Sequence, residues 1–189
     1  MKVLHSTIHP HTIIHRRRAR IQPFLVLTIT ALLSLLGSCS NIDCPLDNVV
    51  MMQCNLYSAE TRQALSLPVS LTVKPAGRDT VLLNQATDIK SFLLPLKDAG
   101  GRDTLLLNLS NTAGQEATDT LFVTHTVKPH FESLDCPASV FHTITQVSAT
   151  HHALSVLPLT VDSIALIRST VNYDDIENIR LFLRSTSGH

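Results

Sequence analysis

An all-β fold is predicted for this chain, an antiparallel β-sandwich of immunoglobulin-like or related kind. Three observations carry the prediction. From Asn48 onward the sequence is a series of short runs rich in Val, Leu, Ile and Thr, with no long stretch of helical period. Turn residues punctuate the runs at Pro75-Ala76-Gly77, Asp98-Ala99-Gly100-Gly101, Asn111-Thr112-Ala113-Gly114 and Asn172-Tyr173-Asp174-Asp175. The first run alternates strictly, Val50, Met52, Cys54 and Leu56 against Met51, Gln53 and Asn55, as a strand does when one face is buried.

Each element follows from the same logic. Strands are predicted at 50–56, 67–73, 80–83, 91–96, 104–109, 120–127, 140–147, 163–171 and 178–183, a spacing that closes two sheets or a barrel. A local repeat joins two of them: Gly77-Arg78-Asp79-Thr80-Val81-Leu82-Leu83-Asn84 returns as Gly101-Arg102-Asp103-Thr104-Leu105-Leu106-Leu107-Asn108. It predicts one turn leading into a strand, used twice, with the Asp bonded back into the turn and the β-branched Thr opening the strand. Phe92, Phe122, Phe131, Phe141 and Phe182 fall in strand patterns and are expected in the core.

The first 38 residues have a different character. Arg16, Arg17, Arg18 and Arg20 precede an apolar stretch at 24–36, at whose end stands Leu35-Leu36-Gly37-Ser38-Cys39. That order of basic, apolar and small residues is the signature of an export signal. As a helix the apolar stretch would measure about 20 Å, short of a hydrocarbon core of about 30 Å, so a retained membrane span is the weaker reading. The tract ending in Cys39 resembles the recognition site of bacterial prolipoproteins, whose cysteine is acylated and becomes the N-terminus. The expected organisation is therefore a cleaved signal helix at 1–38, a tether at 39–47, the β-domain at 48–184 and a tail at 185–189. The partner of Cys39 is then membrane lipid. Each buried methylene would add about 0.8 kcal/mol, so two or three acyl chains hold stably where one does not.

Cleavage changes the charge. The chain carries 15 Lys and Arg against 15 Asp and Glu, but Lys2 and the four early arginines all precede Cys39, leaving ten basic against fifteen acidic residues. A mildly acidic domain gains no counterion-release affinity for phosphate backbones, so nucleic acid is not an expected partner. His5, His9, His11 and His15 would leave with the signal.

With Cys39 acylated, Cys44, Cys54 and Cys136 remain in an oxidising compartment, enough for one disulfide and one thiol. Cys44 with Cys136 is favoured over Cys54 with Cys136, because Cys54 falls on the inward face of its strand. Such a bond would close a loop approaching one hundred residues, with a model stabilisation of about 4 to 5 kcal/mol.

No G-x-S-x-G, H-E-x-x-H or Gly-rich phosphate motif is present, so no enzymatic activity and no cofactor or metal is expected. The preferred reading is a noncatalytic structural or interaction module of the envelope, meeting an envelope protein through strand edges and loops. The alternative is a lipoprotein that holds a divalent ion or glycan in loops near His151, His152, Asp174 and Asp175. Asp followed by Thr or Ser and an aliphatic residue, at Thr80, Thr104, Thr120 and Ser163, resembles the O-glycosylation sequon of exported Bacteroidota proteins.

The order of features resembles a family. Cys39, Cys44-Pro45, the cysteine-containing first strand, Leu94-Pro95-Leu96, Asp119-Thr120-Leu121, Cys136, Val161-Asp162-Ser163-Ile164 and Asn178-Ile179-Arg180-Leu181-Phe182 are similar to a family of uncharacterised Bacteroidota lipoproteins, a domain of unknown function. Where this chain has Pro137, the family commonly has glycine. The resemblance implies an exported, lipid-anchored, all-β domain, and it carries over no activity. Attachment to the outer membrane facing the periplasm is expected, since Ser40-Asn41-Ile42-Asp43 lacks an acidic run after the cysteine.

Overall fold

A computed structural model describes residues 49–174 and 176–186, all within one compact unit. The signal segment, Cys39 and the tether lie outside the described residues, as do Cys44 and Asp175. The domain is all-β. Its ten strands among the described residues are β1 (Met51–Ser58), β2 (Ser70–Pro75), β3 (Leu83–Ala86), β4 (Ser91–Pro95), β5 (Gly101–Ser110), β6 (Glu116–His130), β7 (Ser139–Ala149), β8 (Leu159–Leu166), β9 (Thr170–Val171) and β10 (Glu177–Ser185). They form two packed sheets, a four-stranded sheet in the order β4-β1-β10-β8 and a six-stranded sheet in the order β3-β2-β5-β6-β7-β9.

The alternation read in the first run is realised: Met52, Cys54 and Leu56 are buried, while Met51, Gln53 and Asn55 are half-buried on the other face. Together with Leu94, Ile179 and Leu181 they give the smaller sheet its apolar face. Leu71, Val73, Leu105, Leu107, Leu121, Val123 and Ile144 give the larger sheet its own, and Leu67 and Leu157 add buried side chains from the connections. Burying a Leu- or Ile-sized side chain stabilises by about 1.5–3 kcal/mol, so the shared core is the main source of stability.

Three expectations are corrected. The sandwich is not wholly antiparallel, because β1 pairs with β10 in parallel and with β4 antiparallel. A parallel pair needs a long crossover, and here nearly the whole domain lies between the two strands. The strand predicted at 80–83 starts at Leu83 instead and runs to Ala86. It is an irregular edge strand, with Gln85 at a left-handed φ of 45° and a register shift against β2. The single strand predicted at 163–171 is two: β8 begins earlier, at Leu159, and ends at Leu166, after which the chain crosses to the other sheet and adds β9.

Asn178 explains the crossing. The parallel ladder between β1 and β10 skips it, and its buried side chain replaces the missing bond by accepting from the Gln53 N–H at 3.0 Å. Its amide group donates to the carbonyls of Arg168 and Thr170, at 3.1 and 2.8 Å, pinning the segment between β8 and β9. One side chain thus satisfies backbone groups that the irregularity would strand.

Two of the predicted turns show why their residues fit. Asn111 Oδ1 accepts from the N–H groups of Ala113 and Gln115, both at 3.0 Å, closing the β5–β6 hairpin with Gly114 at a φ of 79°. At Gly100 a Cβ would come 3.3 Å from Val127 Cγ1 on a backbone already at a φ of 69°, so glycine fits this position on two counts.

Candidate functional site

The chemically richest places in the domain are two buried carboxylate–imidazole networks, both built on the six-stranded sheet. The first grows from the second copy of the repeat. In β5 the inward set is Asp103, Leu105, Leu107 and Leu109, so strand parity carries the carboxylate of Asp103 into the interior. Its Oδ2 accepts from the backbone N–H of Lys97 at 3.1 Å and lies 2.9 Å from His125 Nε2 on β6. Lys97 Nζ approaches Oδ1 at 3.4 Å and donates to the Arg102 carbonyl at 2.7 Å. His125 Nδ1 in turn lies 3.2 Å from Nδ1 of His142 on β7, with the two rings edge to face.

One proton arrangement satisfies this chain when both rings are neutral: His125 Nε2–H donates to Asp103, and His142 Nδ1–H donates to His125. Burial holds the His142 pKa below its ordinary value, and the neighbouring His125 lowers it further, against the opposing pull of Asp98 and Asp103. An Asp–His pair can orient a base. Here the side chain of His125 is wholly buried, and of the three residues only Asp103 reaches the adjoining cleft of about 930 Å³. The network ties β5, β6, β7 and the β4–β5 connection together.

The second network crosses between the sheets. Asp119, fully buried on β6, accepts from the Val161 N–H at 3.0 Å and from the Thr160 hydroxyl at 3.2 Å, both on β8, and lies 2.9 Å from His152 Nδ1. The His152 N–H donates to Thr160 Oγ1 at 3.1 Å. The residue types are those of a hydroxyl–imidazole–carboxylate triad, but the connectivity is different. In a triad the hydroxyl bonds the imidazole nitrogen remote from the carboxylate. Here Thr160 donates to the carboxylate itself, and His152 Nε2, the remote nitrogen, is buried without a partner among the described residues. The hydroxyl is spent on cross-linking the sheets.

The sequence-predicted positions are scattered. Thr80 is exposed on the β2–β3 connection. Thr104 is half-buried in β5 opposite Phe122, and Thr120 half-buried in β6 opposite Leu106. Ser163 is exposed in β8 opposite Phe182. The repeat therefore has two outcomes: Asp79 and Thr80 lie in an exposed loop, whereas Asp103 and Thr104 lie within a central strand. Of the cysteines, Cys54 is free and buried, which removes the Cys54–Cys136 pairing, and burial drives its thiol pKa far up. Cys136 is buried too. Phe131 corrects its expectation, being 64% exposed after β6 rather than in the core.

His151, His152 and Asp174 are not assembled into one site, and Asp175 lies outside the described residues. His152 is held at the start of β8 through Thr160, whereas Asp174 pairs with Arg168, beyond its end, at 3.1 Å. An eight-residue strand lies between, at about 3.3 Å per residue. No three His, Cys, Asp or Glu side chains among the described residues gather so as to hold a metal ion.

The profile of a family of unknown function (DUF6452) matches residues 70–183, more than half of the chain. The chain belongs to this family. No curated protein and no solved structure matches it. The matched span of the DUF6452 domain contains Asp103, Asp119, His125, His142, His152 and Asn178, but it begins after β1. Because β1 lies between β4 and β10, the folded unit extends beyond the matched span.

Proposed function

We propose that the protein is a lipid-anchored, noncatalytic structural or interaction module of the bacterial envelope, held at the outer membrane and facing the periplasm. The observation that carries this reading is the ordered tract of Arg16 to Arg20, the apolar stretch at 24–36, and Leu35-Leu36-Gly37-Ser38-Cys39. Acylated Cys39 supplies the anchor, and an envelope protein is the partner. The structure favours a scaffold over an enzyme because the groups suited to chemistry are engaged in holding strands: Asp119 bonds three groups from β8 and its approach, and the carboxylate of Asp103 is tied to Lys97 and His125.

A disulfide between Cys44 and Cys136 belongs to the same reading. Cys54 is free and buried, which supports Cys44 as the partner of Cys136. The bond would fasten the tether to the domain. The two packed sheets, with first and last strands paired side by side, support a β-sandwich of immunoglobulin-like or related topology. Of the four O-glycosylation candidates, Thr80 has the exposed loop position a glycan favours.

Cys39→Ser tests the anchor. The variant, produced in a bacterium that acylates prolipoproteins, is expected to leave the membrane fraction as a folded soluble chain. Retention in the membrane at the level of the parent protein overturns the anchor, and a saturable thermal shift with a divalent ion or glycan would favour a binding function instead.

A further inference from the structure

The β6–β7 connection, residues 131–138, presents apolar side chains to solvent where the chain enters the domain. Leu134 is 101% exposed, at the apex of a turn closed by the Asp135 N–H donating to Ser133 Oγ. Phe131 is 64% exposed, and Val127, on the preceding strand, is 37% exposed. A side chain without any cover gains nothing from the domain's own packing. Cys136, buried, holds the far side of the turn.

Val49, the first described residue and itself exposed, lines the same cleft as Pro137 and Ala138, so the chain enters the domain beside the turn. Cys39 is ten residues before Val49 and five before Cys44. At about 3.5 Å per residue these separations limit the reach to about 35 Å and about 17 Å. Arg78, Lys97 and Arg102 line the cleft with Asp98 and Asp103; Asp103 is paired with Lys97 at 3.4 Å and with His125 at 2.9 Å, which leaves Arg78 and Arg102 against Asp98. Glu132, the acidic residue beside Phe131, is paired with His130 at 3.1 Å. The opposite end of the sheet, the 111–115 hairpin, carries no large apolar side chain.

We propose that the 131–138 turn is a second membrane contact: Leu134 and Phe131 insert into the interfacial layer of the bilayer that holds Cys39, and the cationic rim faces lipid phosphate. The inference rests on the lipid-anchor reading and deepens it. A single tether would leave the domain free to tumble. Two contacts at one end fix its orientation, with the 111–115 hairpin pointing away from the membrane, and amphipathic contact of this kind strengthens with anionic lipid.

The chain contains no Trp, so one introduced tryptophan is a sole reporter. Full-length Leu134→Trp and Thr112→Trp proteins, each produced with its leader and checked for acyl mass, are reconstituted into vesicles of phosphatidylethanolamine and phosphatidylglycerol. The expected result is a blue-shifted L134W emission quenched by brominated acyl chains, and a T112W emission that stays red and unquenched. An acylated protein whose L134W emission stays water-exposed overturns the membrane contact while the anchor stands. Blue-shifted emission that brominated lipid does not quench also overturns it, pointing to a protein covering the turn. A preparation without acyl mass overturns the anchor and this inference together.

Discussion

Replacing Asp119 with Ala removes a buried side chain that bonds from β6 in one sheet to β8 in the other. The carboxylate is fully buried and takes the Val161 N–H at 3.0 Å, the Thr160 hydroxyl at 3.2 Å and His152 Nδ1 at 2.9 Å. The hydroxyl can rotate and the imidazole is a tenth exposed, so both recover part of the loss. The Val161 N–H cannot move away from its strand. Stranding a buried donor costs about 1–3 kcal/mol, and each hydrogen bond lost to a carboxylate about 1.5–3 kcal/mol before that recovery, so a loss of about 4 kcal/mol is expected. Against a total of about 5–15 kcal/mol that is a large fraction. With a urea slope near 2 kcal/mol/M it moves the unfolding midpoint down by about 2 M. Asp162→Ala is the control, since Asp162 is exposed and faces Arg184 at 3.5 Å, a pair worth about 0–1 kcal/mol. Asp119→Asn, which keeps one acceptor for Val161, should fall between the two. Equal midpoints for Asp119→Ala and Asp162→Ala would refute the cross-link.

Other outcomes follow from the same contacts. Asn178→Asp turns a donor that serves two carbonyls into an acceptor facing them, and should destabilise by about 3 kcal/mol or more in the same titration; Asn178→Ala should cost less, because it removes bonds without adding repulsion. The folded-state pKa of His142 is depressed, so the unfolded chain binds the extra proton: the stability contributed is fully present above the ordinary value of 6.5 and is lost as pH falls through the folded value. Urea midpoints at pH 7.5 and 5 should therefore differ more for the parent protein than for His142→Gln, in which the slope due to this group is gone. Cys54 should resist alkylation at neutral pH until the domain unfolds, since its thiol is buried and held protonated; modification of the native protein at Cys54, read by peptide mass, would contradict the buried placement.

The alternation of Met52, Cys54 and Leu56 was legible because both faces of β1 are regular. So were the hairpin turns, because Asn and Gly perform there the roles that single-residue chemistry assigns them. The buried networks were not. Asp103 and Asp119 precede threonines and read as turn residues, yet each stands two positions before a buried leucine within an inward-facing set, and parity alone carries it inside. His125 shares the parity of Leu121 and Val123, a signal present in the sequence that would have marked it as a buried partner. The repeat shows why local sequence stops short. Its second copy lies in β5, clasped between β2 and β6, and becomes strand throughout; its first copy follows β2 toward an edge, has one neighbour, and is strand only from Leu83. Pairing, which is nonlocal, decided between them. Asn178 was read as the start of a strand, and its role as a substitute for a skipped ladder bond depends on Gln53, far away in the chain.

The most direct test of the proposed anchor is the intact mass of the protein extracted with detergent from its native host, before and after reduction and alkylation. The expected result is a chain that begins at diacyl or triacyl Cys39, with a single thiol open to alkylation after denaturation and two more only after reduction. A chain that begins at Met1, or one without acyl mass, would contradict it.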